Sequence, residues 1–324
     1  MGAAVFQTKS IFQGLEKAQP KDLAPDDRRL LALRGTEVER AEFTRVVSIA
    51  VPSYRRSMKF METLLEKSDK FKSPGGLWIF GGGGEGKSFI LQAFLCKHLP
   101  VETTERYVCP VLYLRFDGRP AESEIYLSIL LKLGQNPESV RFDSNSKLRQ
   151  LASNALKQCN VKIILFDEAQ HLFLSVSGNR TRDRFGGVLG DSLKTLYDQL
   201  ESVAFVFAGT PGLEAILADT QISTRWPGTL KLESFKYDEI FIGLLGALDS
   251  ALPMEELSGL ADEELSKKIY ETCGGNFRRL KNFLADAVAI AASAGAKSIS
   301  MVHFAKAHFQ IFCVEQTPFG LVDI

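Results

Sequence analysis

Apolar positions along the chain repeat with two different periods, and the change between them falls near Phe235. From Arg55 to Lys70 the residues Met58, Met61, Leu64 and Leu65 recur at helical spacing. Lys72-Ser73-Pro74-Gly75-Gly76 ends that helix. Short apolar runs then alternate with helical stretches. LWIF (77–80), VLYLRF (111–116), VKIILF (161–166) and VAFVFA (203–208) read as strands. Residues 88–98, Glu122 to Leu133, Lys147 to Cys159, Gly190 to Leu200 and a short Leu213 to Ala218 read as helices. This alternation predicts an α/β fold, a parallel sheet covered by helices on both faces. The near-continuous runs at 161–166 and 203–208 suit doubly buried central strands. Beyond Phe235 only helical spacing remains: Ile240 to Leu248, Asp262 to Thr272, Phe277 to Ala294 and Met301 to Ile311. The expected organisation is an N-terminal extension (1–50), an α/β core (51–233), a small all-helical domain (234–311) and a C-terminal tail (312–324). The tail contains Pro318 and Gly320 and reads as a disordered end or a short apolar segment for docking on another protein.

Composition narrows the classes. The 324 residues are 45% hydrophobic and 24% charged, so a disordered chain is excluded. Lys+Arg and Asp+Glu both total 39, which argues against a globally basic nucleic-acid binder but leaves local basic patches open. The five cysteines contain no C-x-x-C, which argues against a disulfide framework or a zinc ribbon and fits a reducing compartment. The four histidines show no short metal-ligand spacing, and His171 reads as structural. The start, MGAAVFQTKS, lacks a basic region followed by an apolar run. Phe283 to Ala296 is broken by Asp286 and too short to span a bilayer. A soluble, cytoplasmic protein is expected.

The chemistry concentrates at strand ends. Gly81-Gly82-Gly83-Gly84-Glu85-Gly86-Lys87-Ser88 fits G-x-x-x-x-G-K-[ST] between an apolar strand and a helix. Such glycines let successive backbone N–H groups face phosphate oxygens, and the helix N-terminus adds partial positive charge. Lys87 would reach the β- and γ-phosphates of ATP, and Ser88 would ligate Mg²⁺. Asp167 and Glu168 end the most apolar strand; Asp167 would support Mg²⁺, directly or through water, and Glu168 would polarise the attacking water. Thr210, after the run at 203–208, would touch the γ-phosphate or that water. Arg225, Arg278 and Arg279 lie where an arginine reaching a γ-phosphate would stabilise transition-state charge.

Taken in order, GGGGEGKS, ILFDEAQHLF, FVFAGTP, DTQISTRW and GGNFRRL resemble the Walker A, Walker B, sensor 1, arginine-finger and sensor 2 boxes of an AAA+ ATPase. The nearer resemblance is to the TniB/TnsC family of transposition regulators, carried above all by GTPGLEAILADTQISTRW, over about Val51 to His308. It implies an AAA+ P-loop core with a helical lid. Gly81, Gly84, Glu85, Gly86, Lys87, Ser88 and Phe89 would form the nucleotide-binding stretch. Asp167 and Glu168 would take the Walker B roles, and Thr210 that of sensor 1, where many AAA+ proteins have Asn. Arg225 would be a finger acting on a neighbouring subunit, and Arg278 would be sensor 2, with Arg279 competing for that role. Four consecutive glycines depart from the family's usual loop. The resemblance also implies an ATP-dependent ring or filament on duplex DNA, with roughly six or seven subunits per ring or turn. Such an assembly links a target selector (TniQ- or TnsD-like, in some elements with a CRISPR effector complex) to a transposase (TnsB- or TniA-like). It would be nucleoid-associated when bound to DNA.

A DNA-encircling assembly needs cations that contact phosphates without reading bases. Arg180, Arg182 and Arg184 are one candidate set; Arg115, Arg119, Lys147 and Arg149 are weaker ones. Two other readings compete. An origin initiator or loader ATPase would call for a winged helix after the lid, and residues 309–324 are too few for one. A nucleotide-stabilised scaffold with negligible turnover is opposed by the presence of both Asp167 and Glu168.

Overall fold

A computed structural model describes residues 25–102, 107–136, 143–173 and 187–322. The chain forms two compact units. One is continuous, from Pro52 to Glu233; the other joins the chain up to Val51 with the chain from Ser234.

The continuous unit begins with α3 (Pro52–Lys70), following α1 (Pro25–Leu33) and α2 (Glu37–Val46) of the other unit. Then come β1 (Gly76–Gly81), α4 (Lys87–Lys97), a small antiparallel ribbon of β2 (Val101–Glu102) and β3 (Tyr107–Val108), β4 (Val111–Arg115), α5 (Glu122–Lys132) and α6 (Asn145–Gln158). The unit closes with β5 (Ile163–Asp167), α7 (Gln170–Phe173), α8 (Gly187–Leu200), β6 (Ala204–Gly209), a 3₁₀ turn (Pro211–Ala218), α9 (Thr220–Arg225) and β7 (Gly228–Leu232). The sheet order is β4-β5-β6-β1-β7, every pair parallel. The fold class expected from the pattern is the one observed.

Alternation along the strands sorts the core. Trp78, Phe80, Leu114, Phe166, Phe205 and Phe207 belong to one buried cluster. Register puts Trp78 opposite Phe207, and Phe207 opposite Phe166. Trp78 and Phe207 stack with ring centroids 4.4 Å apart, Phe166 and Phe207 at 5.0 Å. Trp226 closes the cluster, and its carbonyl accepts from Trp78 Nε1 at 3.0 Å. Leu77, Ile79, Tyr113, Ile163, Leu165 and Asp167 have the opposite parity and lie on the other face. Every one of β1's six residues is buried, so its carboxyl end, where the phosphate loop starts, is fixed on both sides.

The second unit contains α10 (Glu239–Ala251), α11 (Glu263–Cys273), α12 (Phe277–Ser293), α13 (Met301–Phe312) and a terminal hairpin of β8 (Gln316–Thr317) and β9 (Gly320–Leu321). Its core takes in Phe43 and Val47 from the N-terminal segment together with Phe241, Leu280, Leu284 and Phe304. Thr36 caps α2 in a reciprocal box with Glu39. Arg29 donates to the carbonyls of Leu252 and Met254, and Arg45 pairs with Asp286 at 3.1 Å. The residues expected as an N-terminal extension are therefore part of the helical unit from Pro25 onward. The tail also departs from expectation. Phe319 is buried against Phe283 and Phe304, at 5.5 and 5.4 Å between centroids, so the hairpin finishes this unit's own core. A Thr317 Oγ1–Gly320 O hydrogen bond of 2.7 Å closes the turn that a sequence reading takes for a loose end.

Candidate nucleotide site

The carboxyl ends of β1, β4, β5 and β6 carry Gly81, Arg115, Asp167 and Gly209. The chain leaves β1 for the distant edge strand β4, returns through β5 and β6, and then passes β1 to reach β7. Strand order thus reverses beside β1, the place where open α/β sheets hold ligands outside the carboxyl ends.

The loop after β1 is shaped by its glycines. Gly84 and Gly86 have φ of +88° and +90°, and Gly86 stands at the N-terminal cap of α4. Lys87 Nζ donates to the carbonyls of Gly81 and Gly82, 2.7 Å to each, which brings the ammonium back over its own loop. A side chain built on Gly83 or Gly86 would meet no heavy atom within 4 Å, so the loop is open where phosphate oxygens would lie against backbone N–H groups. Ser88 is in the first turn of α4, and Phe89 beside it faces Tyr54 at 6.1 Å between ring centroids.

Asp167 is fully buried, and both carboxylate oxygens already have donors within the chain. Tyr113 OH reaches Oδ2 at 2.7 Å and the Glu168 N–H reaches Oδ1 at 3.0 Å. Burial, reinforced by the Asp167 carboxylate, pushes the Tyr113 phenol well above its usual value, so it stays a proton donor to Asp167. A serine hydroxyl and a carboxylate are hard oxygen donors of the kind Mg²⁺ takes. Among the described residues no three His, Cys, Asp or Glu side chains cluster as a self-sufficient metal site. By donor chemistry Ser88 and Asp167 would suit a Mg²⁺ shared with phosphate.

Glu168 has a left-handed backbone, φ +54°, unusual for a side chain of this size. Its Oε2 accepts from Gln170 Nε2 at 2.5 Å, and Gln170 Oε1 accepts from the Thr210 N–H at 3.3 Å. The structure thus brings the phosphate loop, Asp167, Glu168 and Thr210 to one end of one sheet. Tyr113 and Gln170 join them although the motifs did not single them out. A tyrosine inside the apolar run 111–116 was a usable signal, because a buried phenol needs a partner.

The remaining candidates are placed as follows. Arg225 ends α9, where Asp198 of α8 grips it with two hydrogen bonds, Nε–Oδ1 3.0 Å and Nη2–Oδ2 2.7 Å. That pairing raises the guanidinium pKa further. Arg278 and Arg279 open α12 of the helical unit, capped by Asn276. Arg119 is exposed beyond β4, Arg115 is paired with Asp117 and Lys147 with Asp143, both at 2.8 Å. Arg149 is half-buried. Arg180, Arg182 and Arg184 lie outside the described residues. All five cysteines are free, with Cys96 and Cys313 exposed and the other three buried. Among the described residues no helix is long and apolar enough to cross a membrane.

With this geometry in place, kinship becomes informative. A family model described as bacterial TniB protein matches residues 41–237. No curated protein matches the sequence. Solved structures resemble the fold. The ORC2 protein of Aeropyrum pernix, in ADPNP–ADP complexes, is 17% identical with a TM-score of 0.56 over 81% of this chain and 68% of its own. Drosophila ORC bound to DNA is 17% identical with a TM-score of 0.55 over 90% and 69%. The RuvB branch-migration motor of Thermotoga maritima is 11% identical with a TM-score of 0.50 over 90% and 76%. The fold is that of these AAA+ proteins.

Proposed function

The chain belongs to the bacterial TniB protein family, and from that premise we propose that it is an ATP-hydrolysing regulator of transposition that assembles on duplex DNA. The observation that carries this reading is the meeting, at one sheet end, of the Gly81–Ser88 loop with Asp167, Glu168 and Thr210. In the reading, the loop N–H groups and Lys87 bind the phosphates of ATP. Lys87 then exchanges its two loop carbonyls for phosphate oxygens. Bound Mg²⁺ would offset charge on the β- and γ-phosphates. Ser88 and Asp167 would hold it, and Tyr113 keeps Asp167 oriented. Glu168 accepts the proton of the attacking water, and Thr210 contacts the γ-phosphate.

Arg225 then serves a neighbouring subunit, with Asp198 setting the direction in which it is offered. ATP binding closes the subunit interface, and hydrolysis loosens it, so the assembly on DNA is timed by turnover. Arg278 is the proposed sensor 2. The DNA surface draws on exposed cations such as Arg119, with the 180–184 arginines as further candidates. That Drosophila ORC is seen bound to DNA is in keeping with DNA as a partner. The remaining partners in this reading are a target selector on one side and a transposase on the other.

The test is electron microscopy of the protein with duplex DNA and ATP, comparing wild type with Glu168→Gln. We expect turnover to fall about 10²–10³-fold in the variant, while rings or filaments persist with ATP. Monomers under every condition would overturn the assembly reading. Assemblies with wild-type turnover in the variant would overturn the role of Glu168.

A further inference from the structure

Gln170 has no role assigned to it within the ILFDEAQHLF box, yet its amide joins Glu168 of that box to Thr210 at the end of the next strand. Its Nε2 donates to Glu168 Oε2 at 2.5 Å and its Oε1 accepts from the Thr210 backbone N–H at 3.3 Å. The two partners stand at the tips of adjacent parallel strands, β5 and β6. A carboxamide is a neutral side chain with a donor and an acceptor on one carbon, so it can bridge a carboxylate to an N–H. A carboxylate in its place would repel Glu168, and an aliphatic chain would leave both partners unmatched.

The surroundings hold this bridge in place. The Ala169 N–H donates to the Ala208 carbonyl at 2.8 Å, which clips the start of α7 to β6. Thr210 caps the 3₁₀ turn, with Pro211 fixing the backbone that follows. At Gly209 a Cβ would lie 3.0 Å from Gln170 Oε1 and 2.7 Å from Leu213 Cδ2, so a side chain there would press on the amide. Glu168 itself has a left-handed backbone.

We propose that Gln170 is a positioning residue that couples Thr210 to Glu168, aiming the carboxylate at the water when Thr210 meets the γ-phosphate. This rests on the reading of Glu168 as the group that activates water. A displacement of the β6 tip by phosphate contact moves the amide, and the amide moves the carboxylate. Nucleotide binding itself belongs to the Gly81–Ser88 loop and does not pass through this bridge.

The measurement is steady-state ATPase kinetics with nucleotide affinity, for Gln170→Ala, Glu168→Gln and the double variant, with thermal melting as a control for folding. We expect Gln170→Ala to lower kcat about 10–100-fold with KM and nucleotide affinity within about twofold of wild type. The double variant should turn over no more slowly than Glu168→Gln alone, because Gln170 acts through that carboxylate. Unchanged or faster turnover in Gln170→Ala, or a parallel loss of nucleotide affinity, would overturn the coupling role. If Glu168→Gln itself kept wild-type turnover, the underlying reading would fail instead, and the two failures are distinguishable in the same data.

Discussion

A methyl group added at Gly83 would touch nothing within 4 Å, whereas Gly86 holds φ at +90°, a conformation that costs an L-residue roughly 1–2 kcal/mol. Gly83→Ala should therefore leave the melting temperature within about 2 °C of wild type, and Gly86→Ala should lower stability by about 1–2 kcal/mol. Calorimetry separates the two, and a nucleotide titration of Gly83→Ala reads whether the extra methyl intrudes on the phosphates. Lys281 poses a different problem. Only 8% exposed, it donates to the Val47 carbonyl at the end of α2, and burial lowers its pKa from 10.5 to about 7. Below pH 7 both folded and unfolded chains carry the proton, and the folded one bears the full cost of burying charge. Between pH 7 and 10.5 the unfolded chain binds more protons, so this residue makes stability rise with pH, by at most about 1.4 kcal/mol per unit. Lys281→Met should raise stability at pH 6 and flatten that rise in urea denaturation followed across pH. Of the site, the contiguous parts were legible in the sequence: the glycine loop and the Asp167–Glu168 pair declare themselves within a few residues. Tyr113 and Gln170 were not, because their roles depend on partners 54 and 40 positions away that only strand pairing brings near.

Elements buried on both faces were legible for a simple reason: β5 up to Phe166 and all of β6 have no polar position to confuse the count. The edge strand β7, with exposed Thr229 and Lys231, and the six-residue α9 leave weaker traces. The run at 213–218 does carry helical spacing, but Pro211 at its first turn accompanies 3₁₀ rather than α winding. The tail misled because hydropathy cannot show that Phe319 returns to Phe304 in the same unit. Helix α2 makes the energetic point at this scale. Its isolated ten residues would be marginal in water, so packing of Phe43 must supply most of its stability. Phe43→Ala is expected to cost about 3–5 kcal/mol, read as loss of cooperative urea unfolding in the helical unit by circular dichroism.

Across the molecule, the division into two units follows from burial rather than chain order. The cluster around Trp78, Phe166 and Phe207 needs only residues between Pro52 and Glu233, whereas the helical cluster borrows Phe43 and Val47 from far upstream. The shift from strand-and-helix to purely helical spacing near Phe235 falls close to the end of β7 at Leu232 and to Ser234, where the helical unit resumes. No periodicity can announce that residues before Pro52 complete a core that begins again at Ser234.

The two tryptophans, Trp78 and Trp226, are both fully buried, with ring centroids 6.0 Å apart, and both lie within the sheet unit. Both tryptophan reporters thus sit on one half of the protein, and the other half has only tyrosines such as Tyr237 and Tyr270. Tryptophan emission will follow melting of the nucleotide-site scaffold alone, while far-ultraviolet ellipticity follows both halves, so comparing their two midpoints reads whether the two units melt separately or together.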